Sequence, residues 1–495
     1  MSQIAVSKLS FTYDGSYDPI FEDVSFCIDS DWKLGFIGRN GRGKTTFLRL
    51  LMGELEYSGS INASVDFEYF PYPISDTHCS ALEAAESVCP ELEYWRLVRE
   101  LSLLEMSEDV LSHSYETLSA GEKTKLLLSA LFMRSCRFLL IDEPTNHLDM
   151  HGRRVVANYL NSKKGFILVS HDRIFLDSCV DHILSINKTN IEIQQGNFSS
   201  WDVNRKRNDA FELAEDDRLS NEISRLGRSV RQTTCWADSA EKAKRGTVSE
   251  VSADTGYAGH KAAKVMKRAK AIEQRKVRAI DEKSLLLHNI ENAESLKIHP
   301  LPYFTNRLLS CERLSVCYDS KPIFSPISLD LEVGDRVALC GGNGCGKSSL
   351  IKLLLGDGID YAGSFSLGSR LLISYAPQTS EHLSGGLADY AKQRGIDETL
   401  FFTTLRKLDF SRIQLENDMS SFSGGQKKKV LIAASLSEQA NLYIWDEPLN
   451  YIDVFSRMQI EELILKYRPT MLFAEHDRAF VNDIATKKVL MTTPM

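Results

Sequence analysis

Two segments of the chain combine glycines with a lysine and a hydroxyl residue at the same spacing. They read GRNGRGKT at Gly38–Thr45 and GGNGCGKS at Gly341–Ser348. Glycines let backbone N–H groups turn inward around phosphate oxygens, and the following helix adds the positive end of its dipole. The lysine would pair with the β- and γ-phosphates, and the hydroxyl would ligate Mg²⁺. The predicted phosphate-contacting residues are Gly38, Asn40, Gly41, Gly43, Lys44, Thr45, Thr46, Gly341, Asn343, Gly344, Gly346, Lys347, Ser348 and Ser349.

An Asp-Glu pair ends an apolar stretch in two places, at Asp142–Glu143 and at Asp446–Glu447. Each aspartate would reach Mg²⁺, directly or through water. Each glutamate could orient and polarise the water that attacks the γ-phosphate. A solvated acid pair at the end of a strand is the plain alternative. Both copies place the pair before Pro and a later Asp, which makes that alternative poor.

A histidine follows a predicted buried strand twice, as His171 and His476, and both precede Asp-Arg. A neutral imidazole at this place could donate a hydrogen bond to the γ-phosphate and so report its presence. A single histidine is usually structural, but the duplication of this one favours a functional role.

A serine stands before small residues at a predicted helix start in Ser119–Gly121 and again in Ser423–Gly425. Hydroxyl groups and free N–H groups at a helix start make an anion site. The predicted contacts from these segments are Ser119, Gly121, Glu122, Ser423, Gly424, Gly425 and Gln426.

All of these motifs occur in one order and return after 303 to 305 residues. Such regular recurrence predicts two duplicated domains of roughly 200 residues. Each phosphate loop lies between an apolar strand and a helix, which is typical of an α/β fold. We expect one domain at 1–203, an interval at 204–303 and a second domain at 304–495.

The interval carries apolar residues at heptad-like spacing in two stretches, which predicts a long antiparallel α-helical coiled-coil linker. The apolar positions are Leu219, Ile223, Leu226, Val230, Ala262, Val265, Ala269 and Ile272. A loop at Thr233–Gly259 would form the tip, and a 28-residue helix would reach about 40 Å. A plain spacer is the alternative, although a spacer needs neither heptads nor a basic surface.

Charge is distributed unevenly along the chain. Between Arg218 and Arg278 there are 15 Lys and Arg against 6 Asp and Glu, whereas the whole chain has a net charge of -8. A basic middle favours a polyanionic partner there, with a solvated helical face as the alternative. No uncharged apolar run of 18 residues occurs, and the ten cysteines form no CxxC pair. We therefore expect a cytoplasmic protein with reduced thiols, no membrane domain and no zinc site.

The order of phosphate loop, LSAGE or FSGGQ segment, Asp-Glu pair and histidine resembles the ABC ATPase superfamily. In that superfamily the signature segment of one domain closes over the nucleotide of the other, which implies two composite sites for ATP and Mg²⁺. One site would combine Lys44, Thr45, Asp142, Glu143 and His171 with Ser423 and Gly425. The other would combine Lys347, Ser348, Asp446, Glu447 and His476 with Ser119 and Gly121.

Further positions match the superfamily in one or both copies, and others depart from it. Tyr13 and Tyr318 match the aromatic residue that stacks on adenine, and Gln378 matches the glutamine that senses the metal and the attacking water. In the first copy Tyr72 stands in place of that glutamine and cannot supply an amide carbonyl. The other departures are Ala120 in place of a signature glycine, and Leu449 and Tyr451 in place of the Thr and His of EPTNHLD. We expect two inequivalent sites.

Tandem domains, EPTNHLD, a helical linker and no membrane domain resemble the ABC-F group along nearly the whole chain. Members bind the exit-tRNA site of the ribosome and push the linker toward the P-site tRNA and the peptidyl transferase centre. The resemblance implies a monomer that contacts 23S rRNA and P-site tRNA of the bacterial 70S ribosome. Lys and Arg along helices would suit RNA phosphates.

The spacing between Tyr72 and Ser119, and between Gln378 and Ser423, leaves no room for the helical arm of many housekeeping members. This feature, the long tip and the run HKAAKVMKRAKAIEQR resemble the antibiotic-resistance branch, most closely the Lsa-type proteins. Those proteins protect ribosomes from lincosamides, pleuromutilins and streptogramin A. Trp236 in the tip would approach the drug site or simply pack the tip.

Other classes remain open alongside this interpretation. A housekeeping ABC-F translation factor is one alternative. A fused ATPase subunit of a membrane importer also has tandem domains, but it would not need a basic linker. In chromosome and repair ATPases a coiled coil interrupts one nucleotide-binding domain, whereas here the interval lies between two complete sets of motifs.

Overall fold

The computed structural model describes residues 3–13, 19–134, 137–146, 148–187, 190–211, 218, 296–318 and 321–492. The chain forms two compact units, one made of Met1–Trp201 with Glu294–Met495 and the other of Asp202–Ala293. Of the latter unit, residues 202–211 are helical. Most of the predicted linker lies outside the described residues, including its two apolar stripes and its tip at 233–259.

The first domain, Met1–Trp201 of the larger unit, contains two sheets. Its antiparallel sheet has the order β2-β1-β4, and its second sheet has the order β5-β6-β7-β3-β8-β9, parallel except for the β8-β9 pair. The central strands are continuous apolar runs because both faces of a parallel sheet are covered. The strands are β1 Gln3–Phe11, β2 Phe21–Asp29, β3 Lys33–Ile37, β4 Ser58–Ala63, β5 Asp66–Phe70, β6 Arg137–Asp142, β7 Phe166–Val169, β8 His182–Asn187 and β9 Asn190–Gln195.

The helices of the first domain begin at residues that cap them. Ser119 caps α4 through a capping box with Glu122, and Asp149 and Asp172 cap α5 and α6. A cap satisfies backbone N–H groups that have no partner inside the helix. The helices are α1 Lys44–Leu51, α2 Ala81–Val88, α3 Tyr94–Leu103, α4 Ala120–Met133, α5 Met150–Asn161 and α6 Arg173–Cys179.

The second domain, Glu294–Met495 of the larger unit, repeats this plan. Its antiparallel sheet has the order β11-β10-β12 with β14 on β10, and its parallel sheet has the order β15-β16-β17-β13-β18. The strands are β10 Arg307–Tyr318, β11 Lys321–Pro322, β12 Ile327–Glu332, β13 Arg336–Cys340, β14 Tyr361–Leu367, β15 Ile373–Ala376, β16 Leu442–Asp446, β17 Met471–Ala474 and β18 Lys487–Leu490. The helices are α7 Lys347–Leu355, α8 Leu387–Arg394, α9 Glu398–Lys407, α10 Arg412–Glu416, α11 Gly424–Ser437, α12 Val454–Tyr467 and α13 Arg478–Ile484.

Helix α12 of the second domain packs into the core of the first domain. Val454 and Met458 are buried in the apolar cluster that the first domain builds on the helical side of its parallel sheet. In the reverse direction, Met150 of α5 packs against the corresponding cluster of the second domain. The two α/β domains therefore share apolar surface, and α5 and α12 are the helices that carry it. The predicted fold class of two tandem α/β domains is confirmed.

Candidate active sites

Each phosphate loop turns into its helix through a glycine with a positive φ. Gly43 has φ 87° ahead of α1 and Gly346 has φ 91° ahead of α7. This left-handed conformation disfavours residues with a side chain. Lys44 and Lys347 begin the helices and are buried. The predicted strand, loop and helix are therefore present in both copies.

Carbonyl groups of each phosphate loop hold its lysine. The Nζ of Lys44 donates hydrogen bonds to the carbonyl oxygens of Gly38 and Arg39, at 2.7 and 3.1 Å. The Nζ of Lys347 donates to the carbonyl oxygens of Gly341 and Gly342, both at 3.0 Å. Burial lowers the pKa of Lys44, and the nearby carboxylates of the second domain's Asp453 and of Glu143 oppose that shift. Both ammonium groups thus lie inside the loop that would surround the phosphates.

The two strand-end aspartates have different hydrogen-bond partners. Oδ2 of Asp142 accepts hydrogen bonds from Oγ1 of Thr45 at 3.2 Å and from the Tyr69 hydroxyl at 3.0 Å. Burial raises the pKa of Asp142, and these two hydrogen bonds lower it. Tyr69 was not among the predicted site residues, although EYFPY and SYAPQ share a tyrosine at this position that could have revealed it.

Asp446 ends β16 near Ser348; burial raises the pKa of the Asp446 carboxyl, and the Ser348 side chain acts to lower it. The Oδ1 atom of Asp446 is buried and has no hydrogen-bond partner among the described residues. An unsatisfied buried carboxylate oxygen beside a serine hydroxyl suits a Mg²⁺ ion, which prefers a few protein oxygens together with phosphate oxygens and water. Asp446 and Ser348 would hold the metal here, as Asp142 and Thr45 would in the first domain.

The glutamates after these aspartates share an unusual backbone conformation. Glu143 has φ 50° and Glu447 has φ 47°, a region that residues with a side chain rarely occupy. The backbone N–H of Glu143 donates to Val169 and that of Glu447 donates to Ala474, in the neighbouring strands. Such strained positions occur at functional sites, because surrounding structure must hold them.

A histidine faces each of these glutamates. Nε2 of His171 lies 3.3 Å from Oε1 of Glu143, and Nε2 of His476 lies 3.4 Å from Oε1 of Glu447. Burial and the charge of Lys44 place the pKa of His171 well below its usual value, which favours the neutral imidazole. Each predicted histidine therefore lies beside its predicted glutamate.

The two glutamates differ in their surroundings. Burial and the neighbouring Asp142 raise the pKa of Glu143 to about 8. Burial also acts to raise the pKa of Glu447, but the neighbouring side chains of His476 and Gln378 outweigh it and lower that pKa to about 2. Nδ2 of Asn450 donates a further hydrogen bond to Glu447 at 2.8 Å.

Tyr72, at the position corresponding to Gln378, packs against the apolar cluster on the helical side of the first domain. Gln378, in contrast, lies beside Glu447 in the cavity of the second phosphate loop and contributes to the low pKa of that carboxyl. The expected inequivalence of the two sites thus appears as a difference in side-chain placement as well as in residue type.

The first phosphate loop meets the signature segment of the second domain. Nδ2 of Asn40 donates a hydrogen bond to the Tyr451 carbonyl at 2.8 Å. A methyl group added at Gly425 would lie 2.8 Å from the same Nδ2 and 2.5 Å from the same carbonyl oxygen. Arg39 forms an ion pair with Asp409 of the second domain. These contacts bring Asn40 and Gly425 together across the domain interface.

The second phosphate loop shares a cavity with the first domain. The cavity has a volume of about 700 Å³. Asn343, Gly344, Gly346, Lys347, Ser348, Ser349, Gln378, Glu447 and His476 line it from one domain, and Ala120, Asn146, Leu148 and Arg153 line it from the other. The two domains are therefore arranged head to tail: each phosphate loop faces the signature segment of the other domain.

Both signature serines cap helices. Oγ of Ser119 accepts a hydrogen bond from the backbone N–H of Glu122, and the Glu122 carboxylate accepts from the Ser119 backbone and hydroxyl. Ser423 and Gln426 repeat the backbone contacts of this box at α11. A serine hydroxyl engaged in its own cap would have to rotate to reach a phosphate oxygen.

The two predicted adenine-stacking tyrosines have exposed side chains. Tyr13 is 42% exposed and its hydroxyl lies 2.9 Å from Oγ1 of Thr46, at the start of α1. Tyr318 is 48% exposed and ends β10. Tyr13 is therefore held beside its phosphate loop, with its ring against Phe11 at a centroid distance of 4.9 Å.

The sequence profile of the ABC transporter family matches residues 21–146 and 324–450. The chain belongs to this family and carries two of its ATP-binding domains, so it is an ATPase. Within the described residues, no helix is both long and apolar enough to span a bilayer.

Relatives of known sequence match along almost the whole chain. The putative ATP-binding protein YdiF of Bacillus subtilis (strain 168) is 27% identical over 98% of this chain and 79% of its own length. The ribosome protection protein VmlR of the same organism is 25% identical over 98% of this chain and 86% of its own length. These matches include the interval between the two domains.

Among solved structures, the chain is similar to a complex of the archaeal ribosome recycling factor aABCE1 with the ribosomal stalk protein aP1. The TM-score is 0.62 at 18% identity, over 98% of this chain and 88% of the other. This likeness supports the tandem fold alone.

Proposed function

We propose that the chain is an ABC-F protein that binds the bacterial 70S ribosome in its ATP-bound, closed form. The observation that carries the proposal is the head-to-tail pairing of Asn40 with the Gly425 segment and of the second phosphate loop with Ala120. ATP between such surfaces would couple closure of the domains to the interval that joins them. We place the domain boundaries at 1–203, 204–303 and 304–495.

In each site, different residues would carry out separate steps of ATP binding and hydrolysis. Lys44 and Lys347 would hold the β- and γ-phosphates, and a Mg²⁺ ion on Asp142 with Thr45, or on Asp446 with Ser348 and Gln378, would neutralise phosphate charge. Glu143 and Glu447 would orient the attacking water and draw off its proton. His171 and His476 would contact the γ-phosphate, and the opposite signature would close the site.

The basic charge of the interval and the similarity to a ribosome protection protein support the ribosome as the partner. The interval between Arg218 and Arg278 is strongly basic in an otherwise acidic chain, and cationic helices suit RNA phosphates. A full-length relative is named a ribosome protection protein. We propose that the interval reaches from the exit-tRNA site toward 23S rRNA, the P-site tRNA and the peptidyl transferase centre, which would place the protein in the cytoplasm.

We further propose that the chain belongs to the antibiotic-resistance branch, as an Lsa-type protein. It would protect ribosomes from lincosamides, pleuromutilins and streptogramin A, because its sequence predicts a long tip and leaves no room for an arm. A housekeeping ABC-F factor is the second candidate, favoured by relatives named only as ATP-binding proteins. A fused importer ATPase ranks below both.

Co-sedimentation with 70S ribosomes tests the proposal. The Glu143→Gln/Glu447→Gln variant should hold ATP without hydrolysing it and should pellet with ribosomes in ATP but not in ADP. Pelleting should weaken with salt, because each phosphate neutralised contributes about 0.7 to 0.9 to the log–log slope. The matched control, Lys44→Ala/Lys347→Ala, should stay in the supernatant. A Gln variant that binds ATP yet never pellets would refute ribosome binding and favour a membrane partner.

Shortening the tip at 233–259 tests the drug-protection function. The deletion should abolish resistance in a susceptible host, measured as the minimal inhibitory concentration of a lincosamide. ATPase activity and ribosome pelleting should survive, because the nucleotide sites lie in the two domains. A control that replaces the same residues by a Gly-Ser segment of equal length should behave like the deletion. Resistance that persists in both variants would rule out a tip-dependent mechanism.

A further inference from the structure

Helices α5 and α12 hold corresponding arginines in the same way. Nε of Arg153 donates to the Leu148 carbonyl, and its Nη1 donates to Oδ2 of Asp172 at 3.0 Å. Arg457 repeats both contacts, to the Ile452 carbonyl and to Oδ2 of Asp477 at 2.9 Å. The two domains therefore present closely similar surfaces to each other here.

One ion pair breaks this internal symmetry. Arg173, the first residue of α6, pairs across the interface with Glu461 of α12, and both side chains are largely buried. The corresponding arginine is Arg478, the first residue of α13. The position that corresponds to Glu461 on α5 is Ala157, eight residues after the helix cap in each case. The side chain that could pair with Arg478 is thus missing.

Arg478 has a different environment as a result. One of its Nη atoms donates to the Met150 carbonyl at 3.3 Å. Among the described residues, no carboxylate lies within ion-pair distance of Arg478 or Arg154. Arg478 is half-buried, whereas Arg154 is exposed on α5. A half-buried guanidinium group without an anionic partner is costly, because its charge is partly removed from water.

A cavity occupies the space beside Ala157. Its volume is about 260 Å³, and Arg153, Arg154 and Arg478 line it together with Asp172. Three guanidinium groups against one carboxylate leave the lining positive, and the carboxylate is already paired with Arg153. Guanidinium groups bind oxyanions through two parallel hydrogen bonds. The lining belongs to both domains, since Arg478 comes from the second and the others from the first.

We propose that this cavity binds a phosphate-sized oxyanion, which takes the place that Glu461 fills on the other side of the interface. Inorganic phosphate is the probe of choice, because ATP hydrolysis by the chain itself supplies it. The bound anion contacts Arg478 of one domain and Arg154 of the other and so joins them. This cavity adjoins the cavity of the second phosphate loop, since Arg153 lines both, but it contains neither phosphate loop. The proposal does not depend on ribosome binding.

Equilibrium dialysis of radiolabelled phosphate tests the site. The Glu143→Gln/Glu447→Gln protein is loaded with ATP and Mg²⁺ first, so that the phosphate loops are filled and cannot contribute. This parent protein should bind one equivalent of phosphate. Arg478→Gln should weaken binding by about tenfold or more, because it removes one of the three cations. Arg412→Gln, which removes an exposed arginine of α10 outside the cavity, should leave phosphate binding unaltered.

Ala157→Glu is the sharper variant, because it supplies the missing carboxylate. It should abolish phosphate binding while ATP binding stays intact, which shows that the protein is folded. Failure of the parent to bind phosphate saturably would overturn the proposal. Phosphate binding of equal strength in the parent, Arg478→Gln and Ala157→Glu would overturn it as well, since the anion would then lie elsewhere.

Discussion

Side-chain partners distinguish the two glutamates that are proposed to activate water. Glu143 and Glu447 both have a left-handed backbone conformation, and each has a histidine beside it. Of the two, Glu447 has a glutamine side chain beside it, because Gln378 stands where Tyr72 packs into the core of the first domain. A positioned glutamate is better placed to orient water than one without that partner. We therefore expect the second site to depend on Gln378.

Gln378→Leu tests this dependence, with Tyr72→Phe as its counterpart in the first domain. Both variants are made in the Glu143→Gln background, so that the remaining hydrolysis reports the second site. Gln378→Leu should lower kcat by about tenfold, because an amide that positions Glu447 is lost. Tyr72→Phe keeps the packing and should change kcat by less than about twofold. Equal rates for the two variants in a steady-state ATPase assay would contradict the assignment.

Residue types alone predicted most of the candidate site and missed part of it. The lysines, aspartates, glutamates and histidines stand in motifs whose chemistry is local, so the sequence was sufficient to predict that they lie close together. Tyr69 and Asn450 were missed, because their hydrogen bonds to Asp142 and Glu447 depend on where β5 and the loop after β16 lie. The tyrosine shared by EYFPY and SYAPQ was the available signal.

Helix caps link the elements to the sites. Asp149 caps α5 and Asp453 caps α12, both by accepting a hydrogen bond from a backbone N–H three residues later. Asp453 is also fully buried against Lys429, whose Nζ lies 2.7 Å from its Oδ2. Burial alone would raise the pKa of Asp453, but Lys429 holds it far below its usual range. α12 therefore begins at a buried ion pair, whereas α5 begins at a simple cap.

Asp453→Asn should destabilise α12 much more than Asp149→Asn destabilises α5. The first leaves Lys429 as a buried unpaired charge, which costs about 3 to 5 kcal/mol, and the second costs under about 0.5 kcal/mol because asparagine caps as well as aspartate. Hydrogen–deuterium exchange of the two helices would measure both losses of stability. Since the folded pKa is depressed, the stabilisation is complete above the unfolded pKa near 4 and is lost only below it. Equal penalties at pH 7 would contradict the role of the pair.

Strands and helices could be predicted wherever a single sequence pattern determined them. The strands before the phosphate loops and the Asp-Glu pairs are short apolar runs that end at glycine or at an acid, and they form as expected. The capping boxes of α4 and α11 were recognisable from a serine followed three residues later by Glu or Gln. The two-residue strand β11 was not predictable, because it exists only as a partner of the end of β10.

The molecule as a whole depends on contacts that join the two domains. Repetition of the motifs predicted the duplication, but it gave no sign of the pairs Arg39–Asp409 and Arg173–Glu461. Each pair brings together residues about 300 positions or more apart, and although Arg39 and Arg173 stand within repeated motifs, their partners Asp409 and Glu461 do not. The burial of Val454 and Met458 in the core of the first domain was equally hidden, because an amphipathic helix does not reveal which domain will cover it.

If both domains enclose each nucleotide, substitution of a glycine in the signature segment of the second domain should slow ATP hydrolysis in the first domain. Two glycine variants of that segment test this most directly. Gly425→Ala would collide with the contact between Asn40 and Tyr451, whereas a methyl group at Gly424 would meet no atom within 4 Å. Both are measured in the Glu447→Gln background, so that turnover reports the site of Lys44. Gly425→Ala should lower the rate by about tenfold, as a clash of 1 to 3 kcal/mol implies, and Gly424→Ala should leave it within about twofold. Equal turnover in the two variants would mean that the first domain hydrolyses ATP without the signature of the second.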